Sequence, residues 1–111
     1  MPRGEYLGEF EQIVMLAVAR LGGEAYGIAI LDEIRERTGA EVAVASVYSS
    51  LDRMERRGYV SSSVGAPTPE RGGRAKKYFA LEPAGRHALH RSRSALDSLW
   101  DGLALDSDGA A

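Results

Sequence analysis

The stretch "ASVYSSLDRMERRGYV", residues 45–60, decides the fold of this chain. Its apolar residues Val47, Leu51 and Met54 recur at helical spacing, which predicts a helix with one buried face. Ser46 is a good N-cap residue for this helix, and Gly58 ends it. A polar stripe follows another side of the helix and comprises Ser46, Ser49, Ser50, Arg53 and Arg57. We expect Asp52 and Glu55 to lie on the far side from this stripe.

The segments on either side of this helix complete the fold. Before it, residues 9–21 and 25–38 carry apolar side chains at steps of three and four, which predicts two further helices. After it, residues 59–64 and 76–81 are rich in β-branched and aromatic residues, and a Gly- and Pro-rich stretch separates them. This pattern predicts a hairpin in which Phe79 and Leu81 face the core. Three helices followed by a hairpin indicate a mainly α (α+β) winged helix-turn-helix.

The charge of the chain is unevenly distributed along the sequence. The formal net charge is -2, yet residues 48–77 hold seven basic side chains against three acidic ones. An electrostatic footprint for nucleic acid is judged by such clustering rather than by the total. The basic residues of this segment are Arg53, Arg56, Arg57, Arg71, Arg74, Lys76 and Lys77. The clustering favours DNA as a partner of the third helix and the hairpin.

The polar stripe of the third helix has two interpretations, a DNA-reading surface or an ordinary solvated face. Serines are weak helix formers, so three of them in a short helix favour a role beyond solubility. Small hydroxyls let a helix approach base edges, and arginine can bind guanine or phosphate. Tyr48 lies away from the stripe, so its hydroxyl can reach a flanking phosphate or its ring can pack under the hairpin as core.

A last helix begins at Pro83, because proline suits the first helical position. Its leucines follow a seven-residue repeat with Ser92 at an intervening core position, and they are Leu89, Leu96, Leu99 and Leu103. Such a seam either covers its own domain or pairs with a second subunit, and pairing is favoured because the preceding elements already form a core. Trp100 lies beside the seam as an interface anchor. We therefore divide the chain into residues 1–81, a dimerisation helix at 82–103 and a disordered tail at 104–111.

Several classes of protein are disfavoured. The chain has no cysteine, so it holds no disulfide or thiolate site, which is compatible with the cytoplasm. No apolar run approaches the roughly 20 residues of a membrane span, and no signal peptide is evident. Catalytic motifs are absent, so we expect neither an enzyme nor a cofactor. His87 and His90 lie among arginines that repel a cation, and no metal site is expected.

Three segments resemble the PadR family of bacterial transcriptional regulators. They are "LGEFEQIVMLAVARLGGEAYGIAILDEI", "ASVYSSLDRMERRGYV" and "GGRAKKYFALEPAGRHAL", and the resemblance spans residues 7–103. It implies a homodimeric DNA-binding repressor, and its single last helix resembles the small subfamily. By the same resemblance, Tyr48 contacts the DNA backbone, Arg74, Lys76 and Lys77 are wing groups, and Trp100 can stack a flat aromatic effector. The chain departs from the family at Glu82, usually Thr, and in a longer wing tip.

The resulting prediction is a cytoplasmic, sequence-specific repressor that binds a pseudo-palindromic operator as a homodimer. The alternative is a winged helix that binds protein instead of DNA, since a fold does not dictate its use. The predicted DNA-binding residues are Ser46, Tyr48, Ser49, Ser50, Arg53, Arg57, Arg71, Arg74, Lys76 and Lys77. The predicted dimer interface comprises Leu89, Leu96, Leu99, Trp100 and Leu103. Whether Arg71 on the extended tip reaches DNA is left open.

Overall fold

The computed structural model of the chain describes residues 6–65 and 76–105. Within these residues the elements are α1 (Glu9–Leu21), a short 3-10 helix (Gly22–Glu24), α2 (Gly27–Thr38), α3 (Val44–Arg56), β1 (Val60–Val64), β2 (Lys77–Leu81) and α4 (Pro83–Trp100). The order is that of a winged helix-turn-helix followed by one helix. The predicted fold class is therefore confirmed. The predicted tip of the wing, including Arg71 and Arg74, and residues 106–111 of the predicted tail lie outside the described residues.

The first three helices enclose the core of the molecule. Each contributes apolar side chains at helical spacing, and those that are fully buried or nearly so include Val14, Met15, Val18, Ile30, Ile34, Val47, Leu51 and Met54. Burying one side chain of this size stabilises a fold by roughly 1.5–3 kcal/mol. Gly39 ends α2 in the left-handed conformation, at φ 74°, as predicted. These three helices form the scaffold that holds the hairpin and the exposed side of α3.

The hairpin closes one end of this core. β1 and β2 pair antiparallel, with Val60 opposite Leu81 and Val64 opposite Lys77. Phe79 is buried and Leu81 is half-buried, as predicted. The Phe79 N–H donates to the carbonyl of Ala25 over 2.8 Å, and Tyr26 forms a bridge to Tyr78. Residues 25 and 26 thus extend the sheet, so α2 begins at Gly27 and the prediction of a helix from residue 25 is wrong.

The start of α3 also differs from the prediction. The helix begins at Val44, and the residue at the N-cap position is Ala43 rather than Ser46. The carbonyl of Ala43 accepts hydrogen bonds from the N–H groups of Ser46 and Val47, which makes Ser46 a residue of the first turn. The β-rich link at residues 41–45 pairs with no strand among the described residues. Its last two residues join the helix instead, where their backbone groups are hydrogen-bonded.

The first half of α4 packs on the same core. Gly85 lies so close to the carbonyl of Tyr59 that a Cβ there would collide with it. Ala88 is fully buried, and the buried hydroxyl of Ser92 accepts a hydrogen bond from the Leu7 N–H over 2.9 Å. α4 is therefore anchored to the helices and the hairpin up to Ser92, beyond which its large side chains are exposed.

Candidate nucleic-acid interface

The outer face of α3, defined by Ala45, Ser49, Asp52 and Arg56, points away from the core. Its inner face consists of Val47, Ser50, Leu51 and Met54, all of which are buried. The exposed residues of the helix include most of the predicted stripe, namely Ser46, Ser49, Arg53 and Arg57. Ser50 is the exception, because its side chain is fully buried and its hydroxyl has no hydrogen-bond partner among residues 6–65 and 76–105. The prediction that Ser50 belongs to a DNA-binding stripe is therefore corrected.

Arg53 lies at the edge of the outer face, next to α1. Its Nε is 3.5 Å from Oε2 of Glu11, while the other oxygen of Glu11 accepts a hydrogen bond from the Gly8 N–H. The guanidinium is thus held by its Nε edge, and about half of the side chain stays exposed, 49%. Arg53 also borders a depression of about 330 Å³ between α1 and α3, together with Phe10, Ala45, Ser46 and Ser49. The ion pair leaves the terminal nitrogens of Arg53 as donors to a ligand.

Tyr48 lies on the opposite edge of α3, against the start of α2. A Cβ at Gly27 would collide with its hydroxyl, so the absence of a side chain at Gly27 allows this contact. Tyr48 is 44% exposed and is not a core residue under the hairpin. Of the two interpretations of Tyr48, burial in the core is wrong. The hydroxyl instead lies at the first turn of α2, where backbone N–H groups lack intrahelical acceptors.

The wing contributes two exposed lysines, Lys76 and Lys77. Nζ of Lys76 lies 4.2 Å from the centre of the Tyr26 ring, and Tyr26 packs edge-on against Tyr78 at 5.6 Å. Nζ of Lys77 lies 5.7 Å from the centre of the Phe79 ring. These cation–π contacts orient the lysines at the root of the wing. Arg71 and Arg74 lie outside the described residues.

Two acidic residues of α3 differ in their surroundings. Glu55 is half-buried and its Oε2 accepts a hydrogen bond from the Ser62 hydroxyl over 2.7 Å, which fastens β1 to α3. Asp52 is exposed on the outer face, one helical turn from Ser49 and Arg56. The sequence predicts both carboxylates on the far side from the polar stripe, and the structure exposes Asp52 on the outer face, three residues after the stripe residue Ser49.

Arg56 is the last residue of α3, and Arg57 is its C-cap. The guanidinium carbon of Arg57 lies 5.1 Å from the centre of the Tyr59 ring, at the turn into the hairpin. Arg56 is exposed on the outer face, and sequence reasoning counted its charge without placing it among the binding residues. A helical wheel centred on Val47, Leu51 and Met54 would have found it, since Arg56 lies opposite to those three residues.

The second half of α4 carries an exposed apolar surface. The exposed fractions are 51% for Leu96, 73% for Leu99, 56% for Trp100 and 55% for Leu103. Leu89, predicted with them, is half-buried and packs against the core of its own chain. A groove of about 840 Å³ runs between α1, β2 and α4, and Leu16, Leu89, Leu96 and Trp100 are among its lining residues. The apolar surface and the groove are continuous through Leu96 and Trp100.

His87 and His90 are both exposed on α4. Across residues 6–65 and 76–105, no three histidine, cysteine, aspartate or glutamate side chains are grouped so that they could hold a metal ion. In the same part of the chain, no helix is both long and apolar enough to cross a membrane.

Comparison with known proteins identifies the family. The model of the "Transcriptional regulator PadR-like family" matches residues 15–91, and no curated protein matches the chain. The structure of hsRosR-S4, solved in a complex, is 26% identical with a TM-score of 0.65, covering 88% of this chain and 77% of its own. A PadR family regulator from Eggerthella lenta DSM 2243 is 24% identical with a TM-score of 0.66, covering 85% and 81%. A PadR family regulator from Clostridium difficile R20291 is 20% identical with a TM-score of 0.65, and the match covers 83% of this chain and 95% of that regulator. Since the family match spans more than half of its length, this chain belongs to the PadR-like family of transcriptional regulators.

Proposed function

We propose that the chain binds double-stranded DNA in a sequence-specific manner, through α3 in the major groove and the wing on the backbone. The observation that carries the proposal is the meeting of three elements at the start of α2. There the Tyr48 hydroxyl of α3 lies against Gly27, and the Lys76 ammonium of the wing lies over Tyr26. A hydroxyl, an ammonium and the N–H groups of a first helical turn are all donors suited to a phosphate.

The residue types indicate which side chains supply affinity for any DNA and which distinguish one sequence from another. Lys76 and Lys77 supply affinity for any DNA, because neutralising phosphates releases counterions. Ser46, Ser49 and Arg53 are exposed on α3 and supply discrimination among bases, for which hydroxyls and a guanidinium are suited. In this proposal Arg57 and the wing arginines Arg71 and Arg74 add further contacts to the backbone.

The active species in this proposal is a homodimer that represses transcription from a pseudo-palindromic operator. The exposed Leu96, Leu99, Trp100 and Leu103 support a second copy of the chain as the partner of α4, since an apolar surface of this kind is costly to leave in water. A twofold axis through this surface would set two copies of α3 about 34 Å apart, one turn of DNA.

Selection of bound sequences from random DNA with the purified chain tests this function. We expect an inverted repeat, whose symmetry would report DNA binding and dimerisation together. Failure to enrich any sequence would contradict the proposal and favour the alternative in which the winged helix binds a protein.

A small aromatic effector is a second proposal, which rests on Trp100 as a lining residue of the 840 Å³ groove. A flat ring bound there would stack on the exposed indole. Because Trp100 is the only tryptophan of the chain, its fluorescence reports on the groove directly. We expect a flat aromatic compound to quench this fluorescence in a saturable manner. Calorimetry, which needs no tryptophan, should show that Trp100→Leu no longer binds the compound. Compounds that relieve DNA binding without affecting Trp100 would contradict it.

A further inference from the structure

Asp52 stands at the middle of the surface that we propose to face DNA. The outer face of α3 presents Ala45, Ser49, Asp52 and Arg56, and Asp52 lies three residues after Ser49 and four before Arg56. Residues at these spacings are neighbours on one side of a helix. Since Ala45 and Ser49 are small, they permit close approach to a groove, and the carboxylate of Asp52 is then the first acidic group that DNA would meet.

The carboxylate of Asp52 makes no hydrogen bond or ion pair with its described neighbours. The nearby acidic residues of the helical scaffold have partners, with Glu11 on Arg53 and Glu55 on Ser62. Among the described residues, Asp52 has neither a hydrogen bond nor an ion pair, and Arg56 one turn later does not reach it. No contact with another described residue therefore accounts for an acid at this position.

An acid on this surface weakens binding to DNA in general, because it repels phosphates. It can be offset only by a donor on a base edge. In the major groove those donors are the amino groups of cytosine and adenine, and in adenine the amino group adjoins N7, an acceptor that repels a carboxylate. Cytosine presents its N4 amino group without an acceptor on the same base edge, so it is the base that fits Asp52 best.

We propose that Asp52 is a specificity-determining residue whose carboxylate accepts a hydrogen bond from the N4 amino group of a cytosine in the major groove. This inference rests on the proposed DNA binding. It adds that one contacted base is a cytosine and that binding is weaker to sequences without a cytosine at that position. The helical position of Asp52 between Ser49 and Arg56 assigns that cytosine to the interior of the half-site, flanked by the bases that those residues meet.

The test is selection from random DNA with the unmodified chain and with Asp52→Asn and Asp52→Ala. The unmodified chain should select cytosine at one position of the site with a preference of about tenfold, the order expected for one good base contact. Asp52→Ala should lose the preference at that position alone, while Asp52→Asn should shift it to adenine, which asparagine binds through N6 and N7. Both variants should bind random duplex more tightly than the unmodified chain.

A matched control separates the base contact from the change in net charge. Glu36 is exposed on α2 and has no ion pair or hydrogen bond with another described residue, so Glu36→Gln removes one negative charge away from α3. It should leave the selected sequence unchanged. If Asp52→Ala selects the same sequence as the unmodified chain, the inference is overturned although DNA binding stands. If the unmodified chain selects no sequence, the proposed function itself fails.

Discussion

α3 and α4 are each buried on one side and exposed on the other, and their exposed sides differ in kind. α3 presents Ser49, Asp52 and Arg56, whereas the second half of α4 presents Leu96 and Leu99. Polar side chains remain solvated until a polar partner replaces water, but large apolar ones lose roughly 25 cal/mol for each Å² that stays exposed rather than buried. The comparison shows that the exposed sides of the two helices have opposite chemistry, which supports the proposal that they bind different partners.

The inner sides of the two helices support this reading. α3 is anchored by buried side chains from Val47 to Met54, which positions its outer face. α4 is anchored only up to Ser92, and its remaining turns project apolar side chains past the core. A rigid polar face suits recognition of a rigid duplex, and a projecting apolar helix suits packing against another copy of itself.

The largest effect is expected from placing charge on α4. In Leu96→Glu/Leu99→Glu the paired helices would bury four glutamates per dimer, so the chain should sediment as a monomer. Operator affinity should fall by about 100-fold or more, because two linked half-sites bind far more tightly than one. Analytical ultracentrifugation and a binding titration measure the two effects. Leu105→Glu, the same change beyond the end of α4, is the control. A double variant that stays dimeric would remove α4 from the interface.

A smaller effect is expected from releasing Arg53. Glu11→Gln keeps an acceptor for the Gly8 N–H but removes the charge that holds the guanidinium. A partly exposed ion pair contributes only about 0–1 kcal/mol to stability, so the free energy of unfolding should change little. In Glu11→Gln the preference for the operator over random DNA should fall about two- to tenfold. In Arg53→Ala the same preference should fall by more.

The matched control for this change is Glu9→Gln. Glu9 lies in the same first turn of α1, is exposed and has no ion pair among the described residues. The substitution Glu9→Gln removes the same charge as Glu11→Gln and leaves the ion pair of Arg53 intact. Equal preferences in Glu11→Gln and Glu9→Gln would mean that the ion pair does not position Arg53 for DNA.

The smallest effect on binding is expected at Ser50. Its buried hydroxyl has no hydrogen-bond partner in the described part of the chain. Removing such a group in Ser50→Ala avoids a desolvation cost while raising helix propensity. The free energy of unfolding should increase by roughly 1 kcal/mol, measured by chemical denaturation, and DNA affinity should stay within about twofold. A tenfold loss of affinity without loss of stability would return Ser50 to the DNA-binding surface.

Much of the fold could be predicted from periodicity and turn chemistry. The ends of α1, the pairing of the two strands, the burial of Phe79 and the start of α4 at Pro83 depend on local patterns. The starts of α2 and α3 could not be predicted in the same way. Ala25 and Tyr26 join β2 through contacts that are distant in sequence, and Ser46 is an N-cap only if no earlier turn forms.

The surface of α3 illustrates how far a helical wheel can go. It ranks residues by angle, but a small polar residue at the edge of the apolar arc can fall on either side of the boundary. Ser50 falls on the buried side of this boundary, whereas Asp52 is exposed. The pairing of Arg53 with Glu11 joins two helices and has no signature in either one alone.

The central claim is that the surface of α3 and the wing binds DNA while the end of α4 binds a second copy. The most direct test is the salt dependence of DNA binding by Lys76→Ala/Lys77→Ala. This variant should remain a dimer, and because a dimer carries two copies of each lysine, the slope of log K against log salt should become shallower by about 3 to 4. Binding to operator and random DNA should weaken alike. A slope equal to that of the unmodified chain would contradict the account.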